Sequence, residues 1–597
     1  MIAIEERGFS AYKSFMHAPN ANYFSAELMV EELVRLGVRN VGIAPGSRSA
    51  PLAESFAGHP AVDAIIHPDE RGLAYFMLGV ARGSGRPAAI VTTSGTAATN
   101  LLPAIAEAHH AGIPLLALTA DRPPELRDCG ANQATDQVKL FGSFVKTFIE
   151  LPPPDDCMDP GFVLSAVDEA VRAATTPPCG PVHVNCLFRE PLAPIAQRYN
   201  RKQLVRALAD WPTSGRPWTA AIARNNRADG GWDVDPIIKA ISGQRQGIIV
   251  AGALAPEAAH EVAKLAERLQ WPLLPDLQSG LRLGASAPPI VAHADLLLCS
   301  EAYRHDASSC ALLQFGSALI TRRFLDCSAV RGRPLRVWVD AAERRTDPSH
   351  GTAIRVVGDP TVIARALSEV VPKATESVRG QKWASASLRV ERMLETRFQR
   401  GRTLTEPGLA WFLSRMIPAD HAWFVGNSLP VRMAATFSSA SGAFVRVFAN
   451  RGLSGIDGQI ATAAGVALGA RRPLTALLGD LTLLHDLNSL GLIRRAGQPV
   501  VLVIVNNDGG GIFSLLPIAE TSRHFERVFA APHGLTFRHA AALFGIHYIC
   551  PDSPEAFRRA WSEALRRGEA ALIEVRTYRS QTAQLVRTLQ RSASRID

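Results

Sequence analysis

Gly479-Asp480-Leu481 and, further along the chain, Asn506-Asn507-Asp508-Gly509-Gly510 are the residues whose types and spacing can do chemistry. The acid closes an apolar run containing Leu474, Ala476, Leu477 and Leu478. A helix-length segment follows, and a second apolar run, Val500 to Val505, delivers amides and glycines. Consecutive strands of a parallel sheet present their C-terminal ends side by side, so Asp480 and Asn507 are expected to meet. A carboxylate, a side-chain amide carbonyl and a backbone carbonyl such as that of Gly509 are all oxygen ligands. Hard divalent cations take such ligands, and Mg²⁺ keeps positions open for phosphate oxygens. The expected product is a metal-bridged diphosphate site. For Gly479-Asp480 alone, a βαβ unit with an acidic cap is the plainer alternative.

Three other segments carry groups of interest. His67-Pro68-Asp69-Glu70-Arg71-Gly72 precedes a helix expected to begin near Leu73. An acid there is commonly a helix cap or a solvated charge. Held against an apolar surface, however, a glutamate can keep and exchange a proton. Thr92-Thr93-Ser94-Gly95-Thr96-Ala97-Ala98 follows a strand and opens a helix, so its hydroxyls and amides either cap that helix or line a pocket. Gly452 to Gly458 is a turn of the same kind, with backbone groups able to wrap a phosphate. His109, His110 and His485 read as structural, although His485 follows the motif directly.

These segments need elements to hold them. At 597 residues the chain exceeds one core, and three to four domains is the length expectation. Residues 22–195 alternate strand-like runs (Val41 to Ala44, Ala88 to Thr92, Leu115 to Thr119, Val182 to Asn185) with helix-like ones (Ser25 to Leu36, Leu73 to Arg82). A polar, Arg-rich passage over 196–232 reads as a linker. The block 233–372 carries Gly247 to Ala251, Asp295 to Cys299 and Leu335 to Asp340 as strands. A charged helical connector over 373–400 leads to the block 401–580, which holds the motif. Strands alternating with helices mean parallel sheets covered on both faces, three times over. Ala251-Gly252-Ala253 is no Gly-x-Gly-x-x-Gly fingerprint, which disfavours a nicotinamide dehydrogenase.

Composition narrows the partners. A 47% hydrophobic and 20% charged chain is an ordinary globular one. Of 64 basic residues only eight are Lys, and Arg is the better residue for bidentate carboxylate recognition. No basic cluster interleaved with aromatics stands out, so nucleic acid is not an expected partner. The eight Cys form no Cys-x-x-Cys pair, which suits a reducing cytoplasm rather than a zinc or disulfide framework. No run has membrane-spanning length and the N-terminus lacks a signal-peptide core, so a cytoplasmic location without membrane attachment is expected.

The Gly-Asp to Asn-Asn spacing resembles the metal-diphosphate motif of thiamine diphosphate enzymes, with Leu481 where the usual third Gly stands. More specific segments are Ala44-Pro45-Gly46-Ser47-Arg48-Ser49, Thr119-Ala120-Asp121-Arg122-Pro123-Pro124-Glu125-Leu126 and Cys129-Gly130-Ala131-Asn132-Gln133-Ala134. Gly426-Asn427-Ser428-Leu429-Pro430-Val431-Arg432, Asn450-Arg451-Gly452-Leu453-Ser454-Gly455-Ile456-Asp457-Gly458 and Ile512-Phe513-Ser514-Leu515-Leu516-Pro517 join them. Together they resemble the SEPHCHC synthase family over about residues 25 to 580, and Leu481 is itself what that family shows.

The resemblance implies three doubly wound α/β domains of the thiamine diphosphate-binding superfamily: pyrimidine-binding (22–195), central (233–372) and diphosphate-binding (401–580). It implies thiamine diphosphate with Mg²⁺ or Mn²⁺, held through Asp480, Asn507 and Gly509. Glu70 would be the catalytic activator of the aminopyrimidine. Thr93, Ser94, Gly95, Gly479, Leu481, Ile456, Ile512 and Phe513 would contact the cofactor, with Ile456 as the wedge that bends it. The implied reaction is decarboxylation of 2-oxoglutarate and Stetter-like addition of the resulting carbanion to isochorismate, a step of menaquinone biosynthesis. Both substrates are dicarboxylates, which asks for converging guanidinium groups. Ser47, Arg48, Arg122, Asn132, Gln133, Arg322, Arg323, Ser428, Arg432 and Arg451 are the implied substrate contacts, with Leu516 in an apolar wall. Each Arg has a surface ion pair as its alternative, and Ser428 a helix cap. Another 2-oxo acid decarboxylase or carboligase of the superfamily is the alternative function. A homodimer or homotetramer with active sites shared between subunits is the implied assembly.

Overall fold

The computed structural model describes residues 14–220, 234–242, 246–284, 289–317, 319–321, 323–324, 326, 335–342, 347–374 and 377–596. Described residues within Met1–Arg224, Asn450–Arg471 and Asp486–Gly497 form one compact unit. Those within Asn225–Ala449, Arg472–His485 and Gln498–Asp597 form another. Every strand pairing among them is parallel, in three sheets, the α/β architecture expected of the chain. No described helix is long and apolar enough to cross a membrane.

The first unit is built on β1 (Asn40–Ile43), β2 (Asp63–Ile66), β3 (Ala88–Thr92), β4 (Leu115–Asp121), β5 (Phe148–Leu151) and β6 (Val182–Leu187). Their spatial order is β2-β1-β3-β4-β6-β5. All residues of β3, β4 and β6 are buried, which is why these strands read as unbroken apolar runs. The order reverses between β1 and β3, so the loops leaving those strands border the crevice where such sheets bind ligands. The helix after β2 starts at Glu70 rather than near Leu73, because the Asp69 carboxylate accepts the Gly72 N–H at 3.1 Å and caps it. Glu70 is therefore inside the first turn.

Two features of this unit differ from the sequence reading. Trp211, in the stretch read as a linker, is buried against Phe15 with ring centroids 5.7 Å apart, and its indole N–H donates to Glu32 at 2.8 Å. Leu204, Leu208 and Trp211 supply an apolar face that polar neighbours disguise. The helix Gln459–Ala470 also belongs here, packed along Glu70–Ser84. A Cβ on Gly465 would collide with the Phe76 carbonyl oxygen, and one on Gly79 with that of Thr462. Glycines on both helices thus let the two backbones touch.

The second unit contains two sheets. In one, β7 (Gly247–Ala251), β8 (Leu273–Pro275), β9 (Ala311–Phe315), β10 (Arg336–Asp340) and β11 (Ile354–Val357) lie in the order β11-β10-β9-β7-β8. Asp295 to Cys299 is not a strand of it: Ala294–Leu297 is a helical turn, with Leu296, Leu297 and Leu298 all buried. A short apolar run buried on every side carries no periodicity to separate helix from strand. The place beside β7 goes to Ala311–Phe315 instead.

The other sheet holds β12 (Ala422–Val425), β13 (Arg446–Phe448), β14 (Leu474–Gly479), β15 (Val500–Asn506), β16 (His547–Ile549) and β17 (Ala571–Arg576). Its order, β13-β12-β14-β15-β17-β16, repeats the topology of the first unit's sheet. β14 and β15 run in register from Leu474↔Val500 to Gly479↔Val505, which brings the two halves of the motif to one edge.

Glu391, on the connector helix Val378–Gln399, ties these layers together. It is hydrogen-bonded to the His293 imidazole at 2.5 Å and accepts the Ser439 hydroxyl at 2.5 Å and the Ala440 N–H at 3.3 Å. Burial pushes its acid up, but these donors win and hold it at about 2. A depressed carboxyl stabilises the fold fully above its unfolded value of about 4.3 and loses that contribution as pH falls toward about 2. Glu391→Ala is expected to cost about 2–4 kcal/mol at neutral pH, since it strands buried donors. Urea titrations at pH 7 and pH 3 check this: the gap between wild type and variant should shrink at the lower pH.

Candidate active site

The turn after β15 is shaped by its glycines. Asp508 has φ +60° and Gly509 φ +122°, and a Cβ on Gly509 would collide with the Ala530 carbonyl oxygen. That turn folds back over the end of β14. Asp480 Oδ2 accepts the backbone N–H of Asn507 at 3.1 Å and of Gly509 at 2.9 Å. It also takes a bond from His533 Nε2 at 3.2 Å. The Leu535 N–H donates to His533 Nδ1 at 3.0 Å, so the ring proton sits on Nε2 and His533 is a donor to the carboxylate. Asp480 Oδ1 accepts only one described bond, from the Leu481 N–H at 2.7 Å. Burial pushes the Asp480 acid up, opposed by the Gly509 and Leu481 amides and by His533.

Asn507 is 7% exposed, and its Nδ2 donates to Glu406 at 2.9 Å. Its Oδ1 is buried with no hydrogen-bond partner among the described residues. The Gly509 carbonyl accepts the Gly511 N–H at 2.8 Å and keeps a second lone pair. An orphaned amide oxygen, a half-used carboxylate oxygen and a carbonyl at one sheet edge fit a hard cation. Among the described residues no three His, Cys, Asp or Glu side chains gather as a metal cage. A cation here would therefore draw on amide and backbone oxygens and on the phosphates it bridges.

Glu406 and His533 were not singled out from the sequence. Glu406 lies in another element far along the chain, 2% exposed, and burial pushes it up to about 7 against hydrogen bonds from Asn507, Thr582 and Thr577. His-Gly at 533–534 had no spacing signal to tie it to Asp480. A cavity of about 930 Å³ borders Asn506 to Asp508 and is lined by Arg576, Arg579, Arg587 and Arg591, also unremarked in the sequence. Arg579 donates from Nη1 to the Asp508 carbonyl, pinning the turn.

Other predicted residues of this unit are placed as follows. Ser428 heads the helix Leu429–Phe437 with φ +67°, and its side chain makes no cap bond, so it is not a hydroxyl cap. Arg432, exposed, donates to the Ser428 carbonyl. Gly479, partly buried, ends β14. Ile512 and Phe513 lie half-buried on the turn Gly511–Leu515, with Phe513 edge-on to Phe529 at 5.7 Å, while Leu516 is 45% exposed. Arg323 does not point at this group: its Nη1 lies 2.9 and 3.0 Å from the two Asp295 oxygens, an ion pair that Thr436 joins at 2.6 Å. Arg322 lies outside the described residues.

In the first unit, the loops after β1, β3 and β4 gather several predicted residues. The Arg48 guanidinium is buried; it donates to the Phe188 carbonyl at 2.9 Å and pairs with Glu190 at 3.3 Å. Burial, then the charge of Arg122, lowers its pKa. Arg122 donates to the Asn132 carbonyl at 2.7 Å. Ser94 Oγ donates to the Gln133 carbonyl at 2.9 Å, and Gln133 Nε2 returns a bond to the Ser94 carbonyl at 3.1 Å. Ser47 is exposed on the β1 turn, and Thr93 is buried so close to Gly46 that no larger residue fits there. Gly95 has φ +80° and donates its N–H to Gln137 at 3.1 Å. Glu70 is half-buried at its helix start.

Arg451 and Ile456, both half-buried, sit on the Asn450 to Gly458 turn, which two side chains anchor. Glu107 accepts the N–H groups of Gly452 at 2.9 Å and Leu453 at 2.6 Å, and the Tyr75 hydroxyl donates to Asp457 at 2.7 Å. Glu107→Ala removes two charge-assisted bonds, together worth about 3 kcal/mol or more. Hydrogen exchange of the Gly452 and Leu453 amides should accelerate by at least about 100-fold, while β3 and β4 amides keep their protection.

Residues 25–140 match the family model "Thiamine pyrophosphate enzyme, N-terminal TPP binding domain". Residues 202–425 match "Middle domain of thiamine pyrophosphate", and 430–575 match "Thiamine pyrophosphate enzyme, C-terminal TPP binding domain". The chain is 44% identical over 593 residues to the 2-succinyl-5-enolpyruvyl-6-hydroxy-3-cyclohexene-1-carboxylate synthase of Salinibacter ruber, covering 98% of each chain. It is 43% identical to the synthase of that name from Rubrobacter xylanophilus (96% of this chain, 99% of the relative). The Aeromonas salmonicida synthase is 41% identical (95% and 97%). With relatives so similar along nearly its whole length, the chain belongs to the 2-succinyl-5-enolpyruvyl-6-hydroxy-3-cyclohexene-1-carboxylate (SEPHCHC) synthase family of thiamine diphosphate enzymes.

Proposed function

We propose that this chain decarboxylates 2-oxoglutarate and joins the resulting four-carbon unit to isochorismate by 1,4-addition, releasing CO₂ and SEPHCHC for menaquinone biosynthesis. The observation that carries the reading is the meeting of Asp480 with the Asn507 turn, where a buried amide oxygen is left for a cation. Asp480, Asn507 and the Gly509 carbonyl would hold Mg²⁺ or Mn²⁺ against the diphosphate, and His533 keeps the Asp480 carboxylate oriented. Bound thiamine diphosphate supplies the electron sink for decarboxylation. Glu70 would hold the proton for the cofactor's pyrimidine nitrogen. Ile512 and Phe513 would keep water from the cofactor, and Ile456 would shape it.

Arg48, Arg122, Arg432 and Arg451 bind the carboxylates of the two substrates, with Ser47, Asn132, Gln133 and Ser428 adding neutral donors and acceptors. Arg48 suits the task because its Nε is buried without a described partner. Arg323 is committed to Asp295 and acts on substrate only if that pair opens. A homodimer or homotetramer, checked by sedimentation velocity, is part of the same proposal.

The deciding assay mixes full-length protein with 2-oxoglutarate, Mg²⁺ and thiamine diphosphate, with and without isochorismate. CO₂ release that requires both substrates, with SEPHCHC formed in step, supports the reading. Release indifferent to isochorismate, or faster with pyruvate, overturns it in favour of another decarboxylase or carboligase chemistry.

A further inference from the structure

Glu406 opens the helix Glu406–Met416, behind the N-cap Thr405, and is buried. Its Oε1 accepts from Asn507 Nδ2 at 2.9 Å, Thr582 Oγ1 at 3.2 Å and Thr577 Oγ1 at 3.3 Å. Sequence separations of 101 to 176 residues make this cluster a product of the tertiary fold alone.

A side-chain amide has nearly the same shape in its two orientations, and only its hydrogen-bond partners distinguish them. With the NH₂ end on the Glu406 carboxylate, the oxygen end is the one turned away, and it is this Oδ1 that lacks a described partner. Rotating the amide by half a turn would set a carbonyl oxygen against a carboxylate oxygen and present N–H groups where a cation would bind. Both changes are unfavourable. The amide also lies against Gly511, where a Cβ would come within 2.5 Å of Asn507 Nδ2, so it occupies the space that a side chain at 511 would take.

We propose that Glu406 is a positioning residue for the metal–diphosphate centre, holding the Asn507 amide so that its oxygen faces the divalent cation. The inference rests on the cation site proposed above and acts through Asn507; Glu406 itself touches neither metal nor substrate.

The test measures Mn²⁺ binding to the full chain in the presence of thiamine diphosphate, by the electron paramagnetic resonance of free Mn²⁺. Glu406→Met, close in shape but without an acceptor, should weaken Mn²⁺ binding by about 10- to 100-fold, the range for groups that orient metal ligands. Glu406→Gln, which keeps an acceptor oxygen and the shape, should stay within about threefold of wild type. In an Asn507→Ala background, adding Glu406→Met should change the affinity by less than about twofold, because the residue it acts through is gone. A purely structural role would instead lower stability in every background without this coupling.

Wild-type affinity in Glu406→Met, or equal losses in both Asn507 backgrounds, overturns the proposal. Should Glu406→Met not fold, Glu406→Gln still decides: a loss beyond about tenfold there overturns it. Asp480→Ala separates the two levels. If it abolishes Mn²⁺ binding while the Glu406 variants bind normally, only the positioning role fails. If it leaves Mn²⁺ binding intact, the cation site itself is misassigned.

Discussion

Glu70→Gln should lower turnover by about 10²- to 10⁴-fold, the span for a positioned general acid–base group, while leaving thiamine diphosphate affinity nearly unchanged. The amide matches the carboxylate in size and can still accept a hydrogen bond. It cannot hold and give back a proton, and that capacity is what the role proposed for Glu70 requires. The local structure supports a clean substitution. The Asp69 cap, not Glu70, closes the first turn of the helix, so the exchange costs little stability. Steady-state CO₂ release gives the turnover, and quenching of intrinsic fluorescence on cofactor addition gives the affinity. Full activity in the variant would remove Glu70 from the mechanism.

Asp480→Ala has an effect of the same order through binding rather than proton transfer. Removing the carboxylate takes away a proposed oxygen ligand and the acceptor of the Asn507, Gly509 and His533 donors at once. Cation affinity in the presence of cofactor should fall by at least about 100-fold, the upper end of what loss of a merely orienting group costs. A ligand present at 100 times its dissociation constant adds about 2.7 kcal/mol of stability. The readout is therefore the rise in melting temperature on adding thiamine diphosphate with Mg²⁺. Wild type should show it and lose it on chelation, and Asp480→Ala should never show it. The β14–β15 ladder is made by backbone groups and not by this carboxylate, and a thermal melt of Asp480→Ala without cofactor checks that the variant is folded. An undiminished cofactor-dependent rise in Asp480→Ala would refute the assignment.

Much of the fold was legible because local signals agreed. Buried parallel strands such as Val500–Asn506 and Leu115–Asp121 are largely apolar runs, and each leads into a loop of glycines, prolines or acids. Short edge strands escaped notice. Asp63–Ile66 and Phe148–Leu151 are partly exposed, so their composition is mixed. Asp295 to Cys299 misled for the opposite reason, since burial on all sides erased its period. The passage after residue 195 looked like a linker because a few apolar residues, Trp211 among them, do its packing within an Arg-rich background.

Asp480 and Asn507 could be paired from the sequence because parallel strand order is a topological rule that acts over one βαβ unit. The types of oxygen ligand, the three α/β sheets and the family follow from residues close together in the chain. Nothing local, however, links Asn507 to Glu406, Asp480 to His533, or the Asn450 to Gly458 turn to Glu107. Hydrogen bonds of this kind depend on where distant backbones come to rest, and a lone Glu or His has the same appearance in the chain whether it is solvated or buried against a ligand. Which amide oxygen is left bare, and which arginine is already spent on an aspartate, are therefore decisions of packing and desolvation made only when the tertiary structure closes.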